Sequence, residues 1–403
     1  MRYSIYPLLA ACCLLHTGCR SKESHILTDI PEPIISATGN DSLFSLKLNE
    51  TPLSNDFILS EVESIEPIYL ETNDSSLIGH ISMVAFTDSL IIVGDNVSPG
   101  KILAFNPDGS FSHQIGTFGD GPEDYSSIDQ VFIEGDNVCV FDWKSPKFIK
   151  YDLTGNFKSS TDFQAGTSPQ YIYPINDGYI GTYSAYFKRN PFNIRIFDLE
   201  GAAIGSALPF RYDRPNTPGK IVNTTEYGKL FYSTLCDSLY SITANSVTPV
   251  GTFGVYGPTE VADFIAATSS LDNGEYRKAL TPASDLNIVN YVGLTTMPDL
   301  WYIEFQTPRY CYSCVVDPTT FKSTKYLRTD MSKKFCYFPF IVVGTSGSRT
   351  LLSYIDEAAF ALLSEENLDY LRSALSAKGC DLSLSESTFE HNNPIILKLN
   401  IKK

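Results

Sequence analysis

Apolar residues come in short runs separated by turn formers along most of the chain. A run at residues 89–95 is followed by a second at 101–111, and the pair recurs at 137–142 with 148–157 and at 178–183 with 193–201. Phe105, Tyr151 and Phe197 are 46 residues apart, and Gly109, Gly155 and Gly201 keep the same step. Each unit reads as a strand, a short loop, a second strand, a tight turn and a third strand. The turn is Asn/Asp-x-x-Gly: glycine supplies a positive φ, and the Asn or Asp side chain can bond its own backbone. Strands that alternate or are wholly apolar suit sheets packed on their faces. A period in the forties with about four strands per unit is that of a β-propeller blade.

Later units keep the style with less regularity. Residues 230–233 with 238–242 read as a fourth blade, and 301–305 with 310–317 as a fifth. Residues 338–343, 350–354 and 395–401 supply a sixth. An early strand at 65–70 is placed to complete the last blade, closing the ring and removing exposed sheet edges. Two segments carry helical spacing. Pro258, Thr259 and Glu260 look like a helix start, with Val261, Phe264 and Ile265 on one face. Residues 356–378 form the longer one: Ser364 with Glu365 and Glu366 is a cap signal, Leu368, Leu371 and Leu375 share a face, and Gly379 is a stop. The expected fold is all-β, a six-bladed propeller over residues 41–403 with short helical insertions.

The N-terminus reads differently. Arg2 precedes an apolar stretch at 5–15, interrupted by Pro7, and then Thr17-Gly18-Cys19. The run is too short to span a bilayer and has the form of a secretory signal, residues 1–18. Thr17-Gly18-Cys19 resembles the bacterial lipobox, although His16 stands where that motif usually has Leu. The resemblance implies cleavage before Cys19 and lipidation of its thiol, since a thioether requires a sulfur nucleophile. Several acyl chains on one residue make anchoring stable. Residues 19–40, polar and holding Pro31 and Pro33, are expected to be a tether. The expected location is the cell envelope, anchored at the outer membrane on its periplasmic face or at the cell surface.

Four stretches together resemble a bacterial family of six-bladed propeller lipoproteins, related in repeat style to NHL and TolB-like propellers and largely of unknown function. They are Ile68 to Thr72 before Leu77-Ile78-Gly79, Ile102 to Gly109, the run Ile115 to Tyr125 (close to G-x-x-G-x-G-P-x-E-Y), and Asn393 to Leu399. The resemblance implies a propeller and a lipid anchor and leaves the ligand open, because fold alone does not fix function.

Charge and chemistry narrow the picture further. The formal net charge is −16. An acidic chain with no Lys/Arg stripe is not expected to bind nucleic acid. Glycines 116–121 lack the following helix and Lys-Ser/Thr pair of a phosphate cradle, and read as an inter-blade turn. Asp95 and Asp142 share one repeat position at a strand end, where a ring of carboxylates would hold a cation and single ones would cap turns. Tyr183 occupies that place in the third unit. Trp143, Tyr183, Tyr186 and Phe187 lie in loops after repeat strands, where aromatics stack on sugar or peptide or pack on the surface. Asp95, Asp142, Trp143 and Tyr183 are therefore the candidate ligand-face residues. Cys311 and Cys314 have CxxC spacing, but on a strand they face opposite sides. Cys139, Cys236 and Cys314 read as buried strand residues. His80, His113 and His391 are isolated, and no serine-hydrolase elbow appears. No catalytic residue, cofactor or metal is expected. The leading expectation is a membrane-anchored, non-enzymatic binding or scaffold module with a protein or glycan partner. The alternative is a hydrolase or lyase, centred on the channel, acting on a glycan or peptide.

Overall fold

In the computed structural model the strands form six sheets of four or more strands around one axis. The structure describes residues 34–37, 43–54, 56–97, 99–163, 169–184, 191–210, 219–257, 259–281, 288–330, 335–336, 338 and 340–403. Cys19, Tyr186, Phe187 and Pro258 lie outside the described residues. Blades 1 to 5 are antiparallel meanders spanning 81–114, 130–162, 171–209, 220–252 and 291–330, each running from the inner strand outward. Blade 6 comprises Ile341–Ser346, Thr350–Ile355 and Ile395–Ile401, with Val62–Tyr69 as its outer strand. Ile395 pairs with Tyr69 and Leu399 with Ile65, so the early strand closes the ring as its sequence position implied.

The core consists of apolar wedges between neighbouring blades. Leu103 and Phe105 pack against Leu352 and Ile396 between blades 1 and 6, and Ile102 and Ala104 face Val140 and Tyr151 of blade 2. Each sheet is thus buried on both faces, which is why strands such as Ile91–Asp95 are buried along their whole length. At ~1.5–3 kcal/mol per fully buried large side chain, Phe105, Tyr151 and Phe197 contribute heavily at three successive interfaces.

The 46-residue step has a local cause. In blades 1, 2 and 3 the pairing of the third and fourth strands shifts register at Ala104/Phe105, Lys150/Tyr151 and Ile196/Phe197. Each bulge leads into the repeat turn, whose glycine has φ of 88°, 88° and 82° at Gly109, Gly155 and Gly201. The glycines also touch the preceding blade. A Cβ there would lie 2.1 Å from the Tyr69 carbonyl oxygen, 2.9 Å from that of Gln114 and 2.2 Å from that of Asp162. The repeated glycine therefore serves both the turn and the close approach of blades.

The structure corrects two expectations. The tether was expected to reach residue 40, yet Ile34–Ile35 already pairs in parallel with the outer strand of blade 3. Phe44–Ser45 then joins the outer strand of blade 4, and Leu53–Ser54 that of blade 5. This segment is a belt that gives three outer strands the partners their edges lack. Phe44 secures it by stacking on Phe321, ring centroids 4.4 Å apart. Cys236, expected to be buried, is half-buried at the start of Cys236–Ile242.

Both helical segments are present. Glu260–Thr268 buries Phe264 and is followed by Asn273–Ala279, which carries an Asp272/Glu275 capping box. The longer segment divides into Glu357–Ala361 and Glu365–Ala377. Ser364 caps the latter, which buries Leu368, Leu371 and Leu375. No helix among the described residues is long and apolar enough to cross a membrane.

Candidate functional site

All six inner strands begin at the same end of the ring. That end also carries the loops between second and third strands, including the 356–394 insertion, and the 253–290 connection into blade 5. Asp95, Asp142, Trp143 and Tyr183 all lie at this end, because each stands at or just past the end of a second strand.

The two aspartates are buried and fully engaged there. Asp95 accepts from the backbone N–H of Gly79 (2.8 Å), His80 (3.0 Å) and Val97 (3.0 Å). Asp142 accepts from Ser126 N (2.6 Å) and Oγ (2.7 Å), Ser127 Oγ (2.6 Å), Lys144 N (3.0 Å) and Ser145 N (3.1 Å). Burial raises the Asp142 pKa, but these donors outweigh it and hold the carboxyl below its ordinary range. Both carboxylates clamp the loop that feeds their own blade's inner strand. Tyr183 packs with Phe141 and Phe163 between blades 2 and 3, and half-buried Trp143 rests on the same cluster.

The glycine-rich run is an inter-blade turn held from beneath. Lys147 Nζ donates to the carbonyls of Asp124 (2.6 Å), Gly121 (3.1 Å) and Pro122 (3.4 Å), and Tyr151 Oη donates to the Glu123 carbonyl. Asn393 explains two more of the motif stretches. Its side chain accepts from Ile78 N (2.8 Å) and donates to the carbonyls of Glu71 (2.8 Å) and Ser76 (2.9 Å), latching blade 6 to the entry of blade 1.

Cys311 and Cys314 are buried on Tyr310–Val316 and face opposite sides. Cys314 packs in the wedge between blades 4 and 5, and Cys311 lies on the Arg328 side. Burial pushes both thiols, and that of Cys139, up to about 12. His80 meets Asn96 Oδ1, His113 meets Ser112 Oγ and the Leu153 carbonyl of the next blade, and His391 is exposed. Among the described residues no three His, Cys, Asp or Glu side chains converge on a metal-sized space.

The side chains that stand apart are at the axis. The first residues of the inner strands, in ring order, are Ile81, Gln130, Tyr171, Lys220, Tyr291 and Ile341. Half of this mouth is apolar or amide, and the other half is a Tyr–Lys–Tyr arc. The arc residues are half-buried. Lys220 Nζ lies 5.7 Å from the Tyr171 ring centroid. Among the described residues nothing hydrogen-bonds Lys220 Nζ, Tyr171 Oη or Tyr291 Oη. Tyr232 walls the site, its hydroxyl accepting from Leu294 N at 3.0 Å. Burial works against the Lys220 ammonium, and the phenol oxygens of Tyr171, Tyr291, Tyr232 and Tyr173 outweigh it, raising its pKa well above the ordinary value. Glu304, within electrostatic range of Tyr291, is bound by Arg328 and by Tyr302 Oη. Linear spacing could not find this arc. The signal that marks it, the first position of an inner strand, exists only once blade register is known.

A family model described as a domain of unknown function (DUF4934) matches residues 45–400. A Bacteroides fragilis protein inferred to be exported aligns at 16% identity and TM-score 0.64, over 92% of this chain and 100% of its own. A member of the DUF4221 family from Bacteroides vulgatus aligns at 11% identity and TM-score 0.47, over 84% and 98%. A virginiamycin B lyase from Staphylococcus aureus aligns at 14% identity and TM-score 0.40, over 72% and 80%. No curated protein matches. The first alignment supports the propeller fold; at these identities none transfers a function.

Proposed function

This chain belongs to that family of unknown function, and from this premise we propose that it is a lipid-anchored extracytoplasmic propeller working as a binding module, its ligand received at the axial mouth. The observation that carries the reading is the arc of Tyr171, Lys220 and Tyr291: three half-buried polar side chains on consecutive blades whose ammonium and phenol oxygens have no hydrogen-bond partner among the described residues. At this same end Asp95, Asp142 and Lys147 are consumed in holding loops. Channel mouths also gather side chains from several blades, which suits recognition. The anchor rests on Thr17-Gly18-Cys19.

Two measurements test the reading. Cys19→Ser is expected to leave the membrane pellet and to lose radiolabelled palmitate; a variant that still sediments and still labels refutes the anchor. A thermal-shift screen of small charged and neutral ligands is expected to give hits that Tyr291→Ala weakens. If no ligand shifts the protein, binding at the mouth is refuted.

A further inference from the structure

We infer that the Tyr171–Lys220–Tyr291 arc is a receptor for a carboxylate group carried on a small, singly charged organic ligand. This inference rests on the binding reading above and names its ligand class.

The arc sets an ammonium over the Tyr171 ring and within electrostatic range of Tyr291, on three adjacent inner strands at one end of the channel. An ammonium can only donate, and the phenols can turn their hydrogens toward a shared acceptor. Together they offer donors to both oxygens of one carboxylate, in charge-assisted bonds that are stronger than neutral ones. Lys220 has the Tyr171 ring within cation–π range but no hydrogen-bond acceptor among the described residues, so its N–H donors stay available to a ligand.

The charge is single. Glu304 and Arg328, beside the arc, form an ion pair that cancels. The described arc therefore matches one negative charge, and a dianion would bring a second charge with no partner. Tyr291 is positioned by Gly293, its neighbour on the same side of the strand. A Cβ at 293 would lie 2.7 Å from the Tyr291 hydroxyl. The absent side chain makes the space in which that hydroxyl rests, so Gly293→Ala displaces the donor without deleting it.

The test titrates the folded protein with acetate, benzoate and glucuronate, with sulfate as the dianion and glucose as the neutral counterpart, by calorimetry and thermal shift. Carboxylates are expected to bind and to weaken severalfold between about 20 and about 200 mM salt. Lys220→Met is expected to lose at least about tenfold in affinity, Tyr291→Phe and Gly293→Ala a few-fold each. Because Lys220 makes no hydrogen bond among the described residues and only a cation–π contact with Tyr171, Lys220→Met should leave the melting temperature within a few degrees of wild type. A melting temperature well below wild type shows a structural lysine and overturns the inference. So does carboxylate affinity unchanged in Lys220→Met, or sulfate binding tighter than every carboxylate. If glucose binds in both wild type and Lys220→Met and no carboxylate does, the binding mouth stands and the carboxylate class falls. If no probe binds at all, both fall.

Discussion

The repeat glycines predict a graded series of stability losses. Replacing each with alanine asks the backbone to hold a left-handed conformation and places a methyl group against the preceding blade. Gly135 is the internal control: its φ is 58°, and nothing lies within 4 Å of a Cβ there. A left-handed L-residue costs ~1–2 kcal/mol, so Gly135→Ala should cost about that and no more. Gly109 and Gly201 would bring the methyl to 2.1 Å and 2.2 Å of a backbone carbonyl oxygen, so an outer strand must move as a unit. Overpacking adds ~1–3 kcal/mol, giving ~2–5 kcal/mol in each case. Gly155, at 2.9 Å from the Gln114 carbonyl, should fall between. With an unfolding entropy of roughly 2 cal/mol/K per residue, a domain of this size loses about 1–2 °C in the control and about 3–6 °C at Gly109 and Gly201. Calorimetry gives the melting temperatures. Urea titration followed through Trp143 and Trp301, of which Trp301 is buried, gives the free energies at constant slope. If Gly135→Ala costs as much as Gly109→Ala, the repeat glycine serves only its turn, and the account of blade contact fails.

Further outcomes follow from the other buried polar sites. Asn393→Ala strands one N–H and two carbonyls at the ring closure and should cost ~3–5 kcal/mol in urea unfolding; a loss under about 1 kcal/mol would show that water replaces the latch. Asp142 has a folded pKa below its unfolded value of about 4, so its contribution is present above pH 4 and is lost as pH falls through the folded value. Wild-type stability should accordingly fall more steeply than that of Asp142→Asn below pH 5, and parallel acid profiles would contradict the assignment. Cys139, Cys311 and Cys314, with thiols pushed up to about 12 by burial, should resist a thiol reagent at pH 8 in the folded protein and react in denaturant; fast labelling of the folded protein at these positions would mean the blades open locally.

How much was legible in the sequence varies with distance along the chain. Blades 1 to 3 were clear because their defining features are local: an Asn/Asp-x-x-Gly turn, a bulge before it and an apolar residue at the bulge all lie within a few positions of Phe105, Tyr151 and Phe197. The closing strand was also legible, since Ile65 to Leu70 is apolar with no neighbouring partner in sequence. The belt was not. Ile34–Ile35, Phe44–Ser45 and Leu53–Ser54 are strands of two residues, and each pairs with an outer edge that folds from residues more than 170 positions later.

The same division separates the candidate residues. Asp95, Asp142, Trp143 and Tyr183 share one end of the ring, because position at or after the end of a second strand fixes the end. Asp95 and Asp142 cap their own turns, as single carboxylates there would, but the sequence could not reveal the further donors, which come from the loop entering the same blade about fifteen residues upstream. Nor could it assemble Tyr171, Lys220 and Tyr291, which no spacing rule links. The repeat by itself determined the blade, its turn and its glycine, because these depend on φ and on side chains a few residues apart. Only the tertiary structure decided which polar groups remain without partners, because closing the ring brings the first residues of six distant strands around one axis.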